Sequence, residues 1–553
     1  MFFTPCKRGW RSTEPNAEQK SASGTMKVWP QVLVALTASL AHLSLGTVLA
    51  YPAIAVPQLT KPSLPDPRQN LHKYGAVESS SLYNTTLQRA YNQSQVDVDP
   101  LSVYFFDNST ASPDRLNYSL TQPETPSARA PRSTEVWLSQ SQVTWFASVH
   151  TTGAIVGSVL CGPLVNLIGQ RRAILVTSPF ILASWLTIWA APLFSLLVSA
   201  RLMLGICIGV TGTAAQIYNV EIAHESVRGS LTCLTDFFVG LGLLSTYALG
   251  MSGLGWRWTA FVLGLVVNVP LTIGIAMFPD SPRWLVTKGR QEDARRALVF
   301  LRGRSYDVSS ELENILRAGN GGAKNTLGQQ VRSLMNPVVY IPFLTSCGLF
   351  IFTQLSGPYV VYSYTVYIFQ AAEVGVSPYL SSVLVGVARV VGSAAGLVIV
   401  ERAGRRPAMI VGGIGTSLSL CCLGFYFFLQ RSHGGLGQWL PLASMISYTL
   451  IVGATISPIP FLLSSELLPL SFRSLGSAVS KIVFYLASMM ATSTFPTLKD
   501  SLGPDTVFWI YAASALLLAL LVWRKLPETK GRSLEEIEEY YKGLYKEAAS
   551  HQI

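Results

Sequence analysis

Apolar stretches of about twenty residues recur along most of this chain, and no other feature narrows its fold so far. About twenty apolar residues make a helix that crosses a hydrocarbon core of about 30 Å. Twelve such stretches are legible, at roughly 29–56, 142–165, 173–194, 196–220, 230–250, 258–278, 338–369, 378–400, 407–429, 438–464, 474–495 and 506–524. A backbone surrounded by lipid must satisfy its own polar groups, which leaves the helix as the fitting conformation. The expected class is therefore all-α polytopic membrane protein. Composition agrees: charged residues are only 13% of the 553 and hydrophobic ones 49%, against about 25% charge in a soluble domain. The run Pro458-Ile459-Pro460 predicts a break inside the tenth stretch.

The net charge of +11 does not point to nucleic acid. The basic residues sit in short segments between apolar runs, where they set topology by facing the cytoplasm. Between Arg283 and Arg332 the central connector carries ten Lys/Arg and five Asp/Glu. With the connector inside, both termini fall inside, as do Arg171, Arg172, Arg228, Arg402, Arg405, Arg406 and Arg473. The expected organisation is a cytoplasmic segment 1–28, a six-helix bundle 29–279, a linker 280–337 with short amphipathic helices, a second bundle 338–526, and a tail helix 527–553. The loop 61–141 falls outside and carries four N-glycosylation patterns, at Asn84, Asn92, Asn108 and Asn117. An integral protein of the plasma membrane is the expectation. The seven cysteines show no metal-ligand spacing, and the loop 61–141 contains none, so it is not expected to be a disulfide-stapled domain. No nucleophile–base set or phosphate loop is legible, so no enzyme activity, cofactor or metal is expected.

The halves repeat a local pattern. Gly169-Gln170-Arg171-Arg172 follows the second stretch, and Glu401-Arg402-Ala403-Gly404-Arg405-Arg406 follows the eighth. Glu221 and Arg228 follow the fourth; Glu466 and Arg473, with the same seven-residue spacing, follow the tenth. Asp280-Ser281-Pro282-Arg283 follows the sixth, and Pro527-Glu528-Thr529-Lys530-Gly531-Arg532 the twelfth. This repetition predicts two pseudo-symmetric six-helix bundles, a solute site near mid-membrane between them, and rocking of one half against the other. The charged motifs at the inner mouth are expected to act as a reversible latch.

These motifs, with Gln354-Leu355-Ser356-Gly357, resemble the sugar porter family of the major facilitator superfamily over about residues 29–535, and most of all its animal glucose and trehalose facilitators. The resemblance implies an inner network of Arg171, Arg201, Glu221 and Arg228 in the first half, with Glu401, Arg405, Arg406, Glu466 and Arg473 in the second. It implies a site where amides pair with sugar hydroxyls and an aromatic face stacks on the ring. Here the pocket departs from the family. Asp236 replaces a glutamine, Thr353 stands beside the retained Gln354, and Tyr359 and Arg389 replace asparagines. Gly453 replaces a glutamate, Phe461 a tryptophan, and Phe484-Tyr485 an asparagine–tryptophan pair. Asp236, Thr353, Gln354, Tyr359, Arg389, Phe461, Phe484 and Tyr485 are thus the candidate solute-binding residues.

Spacing independently puts Asp236 and Arg389 deep in the membrane. Asp236 lies eight residues past Arg228, about 12 Å along a helix, and Arg389 twelve before Glu401, about 18 Å. Charges at that depth mark a functional site by default. Three readings stay open: a pair across the cavity, a site for a charged or zwitterionic solute, or proton coupling through Asp236. An Asp236→Asn exchange is expected to abolish or redirect substrate use without unfolding the chain. The favoured function is a facilitative sugar carrier of hexose or trehalose-like solutes, with a charged-solute carrier or a non-transporting sensor as alternatives. Its expected partners are a small-molecule solute and the bilayer.

Overall fold

The computed structural model describes residues 28–60, 136–224, 228–304, 306–321, 327–433, 437–469, 472–532, 536–537 and 539–541. Asn84, Asn92, Asn108 and Asn117 lie outside these residues. Among the described residues, twelve helical spans are long and apolar enough to cross a membrane. Spans one to six are Trp29–Leu59, Gln140–Ile168, Gln170–Ala190, Phe194–Ile222, Arg228–Met251 and Trp256–Met277. Span seven is Pro337–Leu355 continued by Pro358–Ala371, and span eight is Pro378–Ala403. Span nine is Arg405–His433, and span ten runs through Leu440–Ile451, a π-helical turn Val452–Ile456 and Ile459–Leu467. Spans eleven and twelve are Arg473–Leu502 and Pro504–Lys525.

Local chemistry sets several of these ends. Ser139 and Gln142 form a reciprocal capping box that starts span two: the Ser139 hydroxyl accepts from the Gln142 amide, and the Gln142 side chain accepts from the Ser139 N–H at 2.9 Å. Gly169 and Gly404, the glycines of the repeated motif, each join two spans through one residue, with φ of 90° and 92°. A Cβ resists that conformation, so a one-residue reversal needs glycine. Span ten breaks where its prolines predict, and the π-helical turn lies just before them. Span seven also breaks, at Ser356-Gly357. There Gly357 has φ 87°, and Pro358 opens the second piece.

Close packing holds the spans side by side. Gly153 and Gly157 of span two face Gly205 and Gly209 of span four. A Cβ on Gly157 would lie 2.1 Å from the Ile206 carbonyl oxygen, and one on Gly205 would lie 2.1 Å from that of His150. Small residues four apart let two backbones approach in this way, which is how helices associate where lipid removes the hydrophobic drive.

Alternation of the spans gives the bundle two ends. The linker helices lie at one, here the linker face; the end of span one at Leu59 and the start of span two at Gln140 lie at the other, here the loop face. Among the described residues of the linker are four short helices: Pro282–Thr287, Gln291–Arg302, Ser309–Gly321 and Leu327–Ser333. The second of these is amphipathic and seats Leu301 in an apolar cluster of the first half. Its Arg302 is buried, donates to the Ile222 carbonyl at 2.9 Å, and pairs with Glu311 at 2.6 Å. Beyond span twelve, Ile537 and Tyr541 are buried in an apolar cluster of the second half.

The two ends differ in how the halves meet. One apolar cluster toward the loop face draws on both halves, joining Tyr51, Phe146 and Tyr247 to Tyr364, Phe369 and Phe495. Polar bonds reinforce it: Gln140 donates to Asp500 at 3.3 Å, Ser363 to the Leu49 carbonyl at 3.2 Å, and Tyr247 to the Tyr362 carbonyl at 2.8 Å. Toward the linker face, one apolar cluster belongs to the first half and others to the second. Among the described residues, apolar packing joins the halves toward the loop face and stays within each half toward the linker face.

Candidate functional site

A central cavity lies between the halves. Spans one, four and five line it from the first half, and spans seven, eight, ten and eleven from the second. All eight candidate residues border it: Asp236, Thr353, Gln354, Tyr359, Arg389, Phe461, Phe484 and Tyr485.

Asp236 and Arg389 meet each other. The Arg389 guanidinium makes two parallel bonds to the carboxylate, at 2.8 and 3.0 Å. Ser393, one turn from Arg389 on span eight, donates to Asp236 at 3.1 Å, and Ser457 of span ten donates to it at 2.7 Å. Arg389 also donates to Ser457 at 3.0 Å and to Ser393. Its side chain is 1% exposed, and that of Asp236 is 15% exposed. Low dielectric strengthens such a pair, and the extra bonds repay the loss of water. Of the three sequence readings, the geometry is that of the pair across the cavity.

Gly453 explains how an arginine fits there. A Cβ at 453 would lie 2.8 Å from an Arg389 guanidinium nitrogen. Any side chain at 453 competes for the space of the guanidinium, so the two departures from the family pattern form one change. The π-helical turn contains Gly453 and leads directly to Ser457, the hydroxyl that donates to Asp236. Such turns occur often at functional sites.

Aromatic rings make another wall. Phe461 and Phe484 lie 5.1 Å apart, Tyr359 and Phe484 5.6 Å, and Phe484 and Tyr485 5.2 Å. Beside them, the Gln354 carbonyl oxygen accepts from Ser488 at 3.0 Å. The Thr353 hydroxyl is buried and makes no hydrogen bond with any described residue.

Lys481, Gln216 and Thr213 also line the cavity, and the sequence reading did not single them out. Lys481 of span eleven donates to Gln216 of span four at 2.6 Å and lies 3.4 Å from the Thr213 hydroxyl. The repeat carries the missed signal: Lys481 lies eight residues past Arg473, as Asp236 lies eight past Arg228. His42 of span one also lines the cavity, and its buried Nδ1 makes no hydrogen bond with a described residue.

The candidate latch residues divide. In the first half, Glu221 accepts from Gln170 at 2.8 Å and from Ser281. Arg171 donates to the Ile275 and Ala276 carbonyls at 3.1 and 2.6 Å and lies 4.0 Å from Asp280. The second half repeats this scheme. Glu466 pairs with Arg405 at 3.2 Å and accepts from Thr529 at 2.6 Å. The Glu528 carboxylate caps span nine through the Arg405 and Arg406 amides, both at 3.1 Å. Arg406 donates to the Trp523 carbonyl at 2.7 Å, and Glu401 is exposed. Arg228 and Arg473 open their helices, and their side chains are outside the described set. These described contacts stay within one half; none joins the two.

Arg201 is a correction. It lies on span four twenty residues before Glu221, about 30 Å along the helix, and so near the loop face. It cannot join the network at the linker face. It is fully buried, 3.1 Å from His150 Nδ1, directed at the Val48 carbonyl, and stacked 4.8 Å from the Phe146 ring centroid. Helix direction decides this: span four enters at the loop face, so an arginine in its second turn sits there.

Two helical halves around one mid-depth cavity define an integral membrane protein of the major facilitator fold. The fold is similar to that of the proton:xylose symporter XylE bound to 6-bromo-6-deoxy-D-glucose, with a TM-score of 0.65 at 22% identity, covering 92% of this chain and 99% of that one. The family described as "Sugar (and other) transporter" matches residues 83–541, and the chain belongs to that family. It is 31% identical over 396 residues to the facilitated trehalose transporter Tret1 of Culex quinquefasciatus, covering 71% of this chain and 76% of that protein. Against the protein of the same name from Anopheles gambiae it is 30% identical over 408 residues, or 73% of this chain and 51% of that one. The chain thus spans only about half the length of some curated relatives it matches.

Proposed function

We propose that this protein is a facilitative carrier of a sugar-like solute that works by alternating access. The observation that carries this reading is the central cavity, to which both halves bring polar groups and whose buried His42 Nδ1 and Thr353 hydroxyl have no partner among the described residues. Buried polar atoms are nearly always bonded, so orphans facing a cavity suit a polar ligand. The aromatic wall of Tyr359, Phe461, Phe484 and Tyr485 suits the C–H face of a sugar ring. The names of the curated relatives favour the same class of solute.

In this reading Asp236 and Arg389 brace spans five, eight and ten and shape the cavity. Each already satisfies the other, which weighs against their serving as the ion-binding groups for a charged solute. Closure at the loop face and parting at the linker face is one of the two states that alternating access requires. The linker face is cytoplasmic, with both termini on that side, supported by its clustered Arg171, Arg172, Arg402, Arg405 and Arg406. The proposed location is the plasma membrane.

Reconstituted vesicles test the function directly. Radiolabelled glucose or trehalose should enter them down its gradient, and preloaded unlabelled sugar should accelerate entry. Binding without net movement would support a sensor and refute the carrier.

A further inference from the structure

We propose that the solute this cavity takes is a sugar derivative bearing a carboxylate, held by Lys481. This rests on the carrier reading above and narrows it. Arg389 cancels Asp236 through a two-bond pair completed by two serines, so those charges offset each other locally. Among the described lining residues, the remaining charged side chain is Lys481. Its partners among the described residues are neutral, the Gln216 carbonyl oxygen at 2.6 Å and the Thr213 hydroxyl at 3.4 Å. Among the described lining residues, that leaves one positive charge without a carboxylate partner, between two membrane-embedded bundles. An unpaired ammonium at that depth is costly, and a counter-ion relieves the cost.

The size of the charge selects among anions. One carboxylate neutralises one ammonium. A phosphate ester carries about two negative charges near neutral pH and would leave one buried without a partner. The neighbourhood also supplies donors beyond the ammonium. Gln216 accepts from Lys481 through its oxygen, which leaves its amide N–H groups for a carboxylate. His42 lines the same cavity with an unpartnered ring nitrogen. The hydroxyls of the same solute would then meet Thr353 and Gln354.

The position of Lys481 couples binding to movement. Its bond to Gln216 joins span eleven of the second half to span four of the first. A carboxylate competes with Gln216 for the ammonium, so occupancy loosens a cross-half contact. A solute shifts a conformational equilibrium only by its differential affinity for the two states. Exchange of a cross-half bond for a solute bond supplies such a difference.

The test is uptake of radiolabelled D-glucuronate and of D-glucose into vesicles holding the purified full chain, with an imposed membrane potential. Wild-type protein should take up glucuronate, at a rate that responds to the potential. The glucuronate-to-glucose ratio should fall at least about tenfold in Lys481→Gln, the loss of one charge-assisted bond, and should be largely kept in Lys481→Arg. Size-exclusion profiles of both variants serve as the check on folding. If Lys481→Gln misfolds, stabilisation of wild-type protein by glucuronate but not by glucose in a thermal assay carries the same decision. Glucose uptake with exclusion of glucuronate would overturn this inference and leave the carrier reading standing. So would an unchanged ratio in Lys481→Gln. Failure of both solutes to move would overturn the carrier reading, and this inference with it.

Discussion

Arg389 has almost no contact with solvent, and Asp236 is the only carboxylate paired with it among the described residues. Removing either charge strands the other. The sequence-based expectation that Asp236→Asn leaves folding intact therefore changes. That exchange should destabilise the purified protein by about 3–5 kcal/mol, the usual cost of breaking a buried pair from one side, seen as a lower unfolding midpoint in detergent. Asp236→Gln combined with Arg389→Asn removes both charges and should recover most of the loss. A single variant as stable as the parent would refute the pairing argument. Counting helix rise from Arg228 and Glu401 is enough to place both residues at depth. Their mutual contact was not legible in the same way, because the Ser457 hydroxyl and the gap at Gly453 come from span ten.

At the level of elements, the departures from straight helix are where the cavity is built. Span seven stops at Gly357, where a Cβ would also lie 2.8 Å from the Tyr511 ring. Gly357→Ala should cost about 1–2 kcal/mol from the left-handed backbone alone, and more from the ring contact, again read from the unfolding midpoint. An unchanged midpoint would show that the break tolerates a side chain. The prolines of span ten announce its break in sequence. Span seven gives a weaker signal, since Gly357-Pro358 fits a kink as well as a full interruption. The Arg201 correction belongs to this scale too, since its place follows from the direction of span four, while the resemblance had grouped it with residues at the other end.

For the whole molecule, closure at the loop face predicts a lock. Gln140 of span two and Asp500 of span eleven bond across the halves there. Cysteines at these two positions, with exposed Cys421 and Cys422 changed to serine, should be joined by a short reducible thiol cross-linker. Uptake should drop to the background of empty vesicles and return when the linker is cleaved. Full transport with the link intact would mean that the halves do not separate at this face. The parted linker face carries two separate polar networks, built alike around Glu221 and Glu466. Among the described contacts, none links the two networks in this state.

Sequence alone determined the number of spans, the two-half repeat, the basic connector and the depth of Asp236 and Arg389. These quantities depend on hydropathy and on distance along one helix, and both are local. Tertiary structure decided which charges meet. It paired Asp236 with Arg389, and it brought Lys481 into the cavity against Gln216. It also kept the described contacts of Glu221 and Glu466 each within its own half. Those outcomes depend on how each helix is rotated and how closely its neighbour approaches. Packing contacts such as those between Gly157 and Ile206 set both, and no single span contains the information.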